Sequence, residues 1–234
     1  MRSLSNTREF SLQHFLVAIL VVFSIIGISA ELLGYHKYIV FYKPVVIALV
    51  ITLYSITSSK KAPLFFIISG LIMLTSICVL FDTKVFRALA FICLISSRVF
   101  LFTYIIKLSK IKDYFPIVLG SVPFIFIFSY LLFISDDFKF ISYYSIVIQN
   151  FLVSIIVGLI LSIYMMNHNQ STTAWLYIFG LLYLGLYFSL FIEKCFLVQF
   201  PIASLPPIAL ALYVGSYYSF YRFVIHAEKN NLPQ

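Results

Sequence analysis

The side chain with the most chemical consequence in this sequence is Arg98. It stands near the middle of residues 85–107, VFRALAFICLISSRVFLFTYIIK, an otherwise apolar run. A guanidinium in hydrocarbon costs roughly 2.5–3.5 kcal/mol on insertion scales, so it must face a bundle interior or a wet cavity. Arg87 lies eleven residues earlier, which at 3.6 residues per turn returns to nearly the same helical face. A basic stripe running inward from one surface suits a phosphate, to which arginine offers a planar fork of donors. The alternative is structural: Arg87 snorkels to the interface and Arg98 binds backbone carbonyls and hydroxyls. Both readings require neighbouring helices to supply an interior.

Other polar residues fall at similar depth. Arg98 is eight residues from Ile106, or ~12 Å at ~1.5 Å per residue. Thr75 and Ser76, Ser96 and Ser97, and Gln149 and Asn150 belong to the same central slab. Tyr183 and Tyr187, like Tyr213 and Tyr217, are i, i+4 pairs that share a face. A polar belt with aromatic walls follows, which holds a lipid headgroup or satisfies itself by hydrogen bonds between helices. The candidate binding residues are Lys43, Ser76, Arg98, Gln149, Asn150, Tyr183, Tyr187, Tyr217 and Tyr218. Arg98 and Lys43 would meet phosphate, Gln149 and Asn150 would orient the headgroup, and the tyrosines would line the chain.

Catalytic groups are harder to find. Hydrolysis inside a membrane needs a general base or a metal, and no acid stands at the depth of Arg98. Glu193 is the one carboxylate drawn toward the membrane, near an end and beside Lys194. His14, His36, His168 and His226 fall near helix ends or loops, and no pair has zincin spacing. Cys78, Cys93 and Cys195 lie in apolar runs without CxxC or Cys/His spacing, so they read as small apolar residues. Catalytic residues are therefore left unassigned, and neither a metal nor another cofactor is expected.

The elements that must position these groups are transmembrane helices. Of 234 residues 62% are apolar and 10% charged, against about 25% charged in soluble proteins. About 20 apolar residues cross the hydrocarbon, and eight stretches qualify, near 14–33, 39–57, 64–81, 85–106, 114–134, 141–166, 174–196 and 203–225. They fill the chain as a single integral membrane domain, residues 1–234, an all-α polytopic bundle with short loops. Pro44, Pro116, Pro123, Pro206 and Pro207 are read as lying near helix starts, where a missing donor is tolerated. Small residues every four positions, Asn150, Ser154, Gly158 and Ser162 on the sixth helix and Ala211, Gly215 and Ser219 on the eighth, predict packing seams.

The net charge of +8 does not point to nucleic acid, because no basic run interleaves with aromatics. Instead Lys and Arg gather between apolar runs. Arg2, Arg8, Lys60, Lys61, Lys107, Lys110, Lys112, Arg222 and Lys229 fall on one side, and Lys37, Lys43, Lys84, Arg87, Lys139 and Lys194 on the other. That bias predicts both termini in the cytoplasm, with a bacterial inner membrane as the setting. The first helix is read as retained, although Ile28-Ser29-Ala30 would pass as a signal cleavage site.

At Tyr42-Lys43-Pro44, opening KPVVIALVITLY, and at Tyr217-Tyr218 in LYVGSYYSFYRFVI, the chain resembles the YhhN family, which includes the lysoplasmalogenases. The resemblance implies eight transmembrane helices, a Lys-Pro start to the second, a tyrosine-rich last helix and activity on lysophospholipids carrying a vinyl ether chain. The third and seventh helices of that family each carry an acid used in hydrolysis. Here Thr75-Ser76 stand at the first of those places, the seventh helix has no acid before Glu193, and Tyr221 replaces a glutamine. The resemblance thus implies a retained fold with hydrolysis lost or altered. A noncatalytic module that docks membrane lipids or another membrane protein is the second reading. A small-solute carrier is the third, disfavoured because the two halves show no repeat.

Overall fold

The structure, a computed structural model, describes residues 2–81, 83–109, 113–135, 140–166, 171–197 and 202–230. Lys110, Lys112, Asp82, Asp136, Asp137, Lys139 and His168 lie outside that set. Eight α-helices follow one another: α1 (Arg2–Leu32), α2 (His36–Thr57), α3 (Pro63–Cys78), α4 (Lys84–Ser109), α5 (Phe115–Ile134), α6 (Phe140–Met166), α7 (Ser171–Cys195) and α8 (Leu205–Asn230). Among the described residues there is no strand.

Six of the helices are long and apolar enough to cross a membrane, while α2 and α3 present shorter apolar segments, Phe41–Thr57 and Pro63–Cys78. Large apolar side chains also cover the outside. Phe126 is 72% and Phe133 86% exposed on α5, and Val22, Ile25 and Ile26 stand outward on α1. Surfaces of that kind are stable against acyl chains and not against water. The protein is an integral, multi-pass membrane protein.

Short connections follow from local chemistry. Gly34 adopts φ +82 after α1, and the Tyr35 amide reaches back to the Ala30 carbonyl at 3.0 Å, so the chain reverses where a residue without Cβ permits it. Pro63 opens α3 and Pro116 sits in the first turn of α5, as Pro206 and Pro207 do in α8. Pro44 and Pro123 differ from expectation. Both lie inside their helices because α2 begins at His36, earlier than 39, and α5 runs unbroken from Phe115.

Two other boundaries move in ways that matter. The third helix ends at Cys78 and the last continues to Asn230, past the end expected near 225. The polar tail of α8 remains helical because its inner face stays packed: Tyr221, Val224, Ala227 and Glu228 are all buried. α8 is the axis of the bundle, touching α1, α2, α4 and α7, whereas α6 touches α4, α5 and α7. Consecutive helices pack together from α1 to α4 and from α5 to α8, and α4 also packs on α6 and α8.

The seam on α6 is used as predicted. Asn150, Ser154 and Ser162 are buried, and a Cβ on Gly158 would lie 2.5 Å from the Ser121 backbone nitrogen of α5. The seam on α8 is shorter. Gly215 faces Leu182 of α7 and Ser219 is buried, but Ala211 is exposed.

Candidate functional site

α4, α6, α7 and α8 bring Arg98 into the interior, where it is 7% exposed. Its Nη1 donates to the Gln149 carbonyl at 3.2 Å, and its guanidinium lies 5.1 Å from the centre of the Tyr187 ring. The Tyr187 hydroxyl in turn donates to Asn150 Oδ1 at 2.5 Å. Among the described residues no carboxylate pairs with Arg98, so the charge is held by a carbonyl and an aromatic face. Tyr183, one turn before Tyr187, and Tyr217 of α8 complete the surroundings, both within electrostatic reach of this group of residues.

Three buried polar atoms here have no partner among the described residues: Arg98 Nε, Asn150 Nδ2 and the Tyr183 hydroxyl. An unpaired donor away from water costs about 1–3 kcal/mol, and native interiors leave few of them. All three can donate, and they come from α4, α6 and α7. An acceptor-rich anion is what such a set would take.

The other predicted residues divide by place. Gln149 takes part through its backbone carbonyl rather than its amide. Lys43 lies 5.9 Å from the Tyr213 ring centre, with Glu31, Glu193 and Lys194 within electrostatic reach. Ser76 donates to the Ile72 carbonyl at 3.0 Å and neighbours Tyr213. Tyr213 and Tyr217, 4.7 Å apart between ring centres, link that group to Arg98. Tyr218 points away, against Trp175 and Arg222. Arg87 is exposed, so the expected basic stripe stops at the protein surface and does not enter the interior. Ser97 and Thr75 donate to carbonyls of their own helices, at 2.8 Å each.

Sequence reasoning missed a second polar centre. Glu228 is 5% exposed on α8. Its Oε1 accepts from Tyr54 of α2 at 2.5 Å and more distantly from Tyr104 of α4 at 3.4 Å, and its Oε2 accepts from Ser58 at 2.7 Å. The Ala62 amide donates to the Tyr54 oxygen at 2.8 Å and the Lys61 amide to Ser58 Oγ at 2.9 Å. Each hydroxyl therefore takes an amide proton and directs its own toward the carboxylate, tying residues 58–62 to the end of α8. Lys61 has φ +45 in that loop, a backbone state a β-carbon disfavours. The signal available in the sequence was periodic: positions 221, 224 and 228 continue one helical face.

Glu228 does not serve Arg98. Tyr217 and Glu228 are eleven residues apart on α8, or ~16 Å along the axis. Phe220 lies between, packed on Tyr104, Phe65 and Phe179. Among the described residues no three His, Cys, Asp or Glu side chains converge. Neither family models, nor curated proteins, nor solved structures give a match to this chain.

Proposed function

We propose that this protein binds a lysophospholipid-type amphiphile within the bundle, its phosphate held at Arg98. The observation that carries the reading is that three unpartnered buried donors, Arg98 Nε, Asn150 Nδ2 and the Tyr183 hydroxyl, come from the three helices around a guanidinium that, among the described residues, pairs with no carboxylate. Tyr187 and Tyr217 form the walls, and the track through Tyr213 toward Lys43 and Ser76 gives the remainder of the ligand a lining.

Binding without hydrolysis is favoured over a YhhN-type lysoplasmalogenase. Thr75 and Ser76, which stand where that family carries an acid, spend their hydroxyl protons on their own helix, and the buried acid at Glu228 lies beyond Phe220. The excess of Lys and Arg on the side of residues 58–63 and the C-terminal end supports cytoplasmic termini; the setting we propose is a bacterial inner membrane.

The test is to titrate purified protein with a lysophospholipid, its vinyl ether analogue and a monoacylglycerol lacking phosphate. The two phosphate-bearing lipids are expected to raise the melting temperature, the monoacylglycerol is not, and no aldehyde is released. Equal stabilisation by the monoacylglycerol would refute the phosphate role of Arg98, and aldehyde release lost in Arg98→Ala would replace binding with hydrolysis.

A further inference from the structure

A second cation stands at the membrane end shared by α7, α8 and the 58–62 loop. The Arg222 guanidinium of α8 lies 4.8 Å from the centre of the Trp175 ring in the second turn of α7. Nη1 reaches the Tyr218 hydroxyl and Nη2 reaches His226 Nε2, both at 3.4 Å. The imidazole lies over the same indole, 6.5 Å between ring centres and 19° between planes, while Tyr218 meets it edge-on at 6.2 Å.

Tyr218, Arg222, His226 and Lys229 recur at intervals of four, four and three along one face of α8. This face is separate from the one carrying Tyr221, Val224 and Glu228. Arg222, His226, Tyr218 and Trp175 are half-buried and Lys229 is exposed. Glu228 is engaged by Tyr54 and Ser58 on the other side of the helix. The guanidinium has five N–H groups; among the described residues its bonds to Tyr218 and His226 are both long and no carboxylate is among its partners.

The arrangement has the parts of a phosphate site. The indole face fixes the plane of the guanidinium, Tyr218 and His226 fix its rotation, and its other N–H groups have no partner among the described residues, with Lys229 about two turns on. Arginine held in one plane presents parallel donors to two oxygens of a phosphate. A tryptophan at a helix end marks headgroup depth, where its ring is amphipathic enough to reside.

The geometry points to a binding site at Trp175, Tyr218, Arg222, His226 and Lys229 for a phosphate group at headgroup depth, as an anionic phospholipid presents it. This site is independent of the one at Arg98. It also accounts for Tyr218, which the tyrosine pattern would place with Tyr217 but which serves a different face of α8.

The experiment uses the full chain, delipidated in a nonionic detergent, with dioleoyl phosphatidylglycerol, dioleoyl phosphatidylcholine and inorganic phosphate as separate probes. Native mass spectrometry reads retained lipid and thermal melting reads stabilisation. Wild type is expected to retain phosphatidylglycerol over phosphatidylcholine, with affinity falling roughly tenfold in Arg222→Gln and recovering partly in Arg222→Lys. His226→Gln provides a second, milder variant should the first fold poorly. Stabilisation by inorganic phosphate that Arg222→Gln abolishes supports the site and makes a soluble phosphate its source, whereas stabilisation by phosphatidylglycerol alone assigns it to the bilayer. Undiminished phosphatidylglycerol retention in both Arg222→Gln and His226→Gln, or equal retention of phosphatidylcholine by wild type, overturns the proposal.

Discussion

Replacing Glu228 by glutamine tests whether a lone carboxylate anchors the end of the bundle. The change keeps the shape and turns one acceptor oxygen into an NH2 donor. Tyr54 and Ser58 donate to different oxygens, at 2.5 and 2.7 Å, so the amide can satisfy only one of them. The hydroxyl it fails to satisfy cannot simply turn around, because the Ala62 and Lys61 amides already donate to the two hydroxyl oxygens. One charge-assisted bond is lost and one buried donor is orphaned, which together cost about 2–3 kcal/mol. Unfolding titrations in mixed micelles measure that quantity. The loop provides a second readout, since Lys60 and Lys61 are exposed and trypsin should nick there faster once residues 58–62 are released. Tyr54→Phe removes the same bond from the other end, so the double variant is expected to cost less than the sum of the singles. Wild-type stability in Glu228→Gln, or strict additivity with Tyr54→Phe, would refute the anchoring argument.

Three further outcomes follow from packing and topology. Gly158→Ala forces a methyl against the Ser121 backbone and is expected to destabilise the protein by about 1–3 kcal/mol, read in the same titration. Ser76→Ala removes a hydroxyl bonded within its own helix and is expected to change stability by less than about 1 kcal/mol and, because Ser76 lines the far end of the ligand track and not the phosphate, to leave lysophospholipid affinity near wild type; a roughly tenfold loss of affinity would make its hydroxyl a polar contact of the ligand. Cysteines placed at Lys60 and Lys229 should label with impermeant maleimide from the same side, and one at Lys84 from the other, while native Cys78 and Cys93, both buried, should not react in the folded protein.

Much of the fold was legible because apolar length is nearly all that a transmembrane helix needs. The interior position of Arg98 was legible for the same reason, since hydrocarbon leaves a mid-helix guanidinium little alternative. Its neighbours Asn150, Tyr187 and Tyr217 were legible from depth. Depth alone does not resolve azimuth, so Tyr217 and Tyr218 were grouped though they point to different sites. Depth does not separate a backbone carbonyl from a side chain either, as Gln149 illustrates. Glu228 was hidden because hydropathy falls at His226, where an apolar window ends, while the helix and its buried face continue.

The central claim is that the Arg98 guanidinium, with Asn150 and Tyr183, receives the phosphate of an amphiphile. Its most direct measurement is the lysophospholipid binding isotherm in nanodiscs for wild type and Arg98→Gln, each confirmed to be folded. The account predicts saturable one-to-one binding by wild type that weakens by roughly tenfold or more in the variant. Identical isotherms for the two proteins would contradict it.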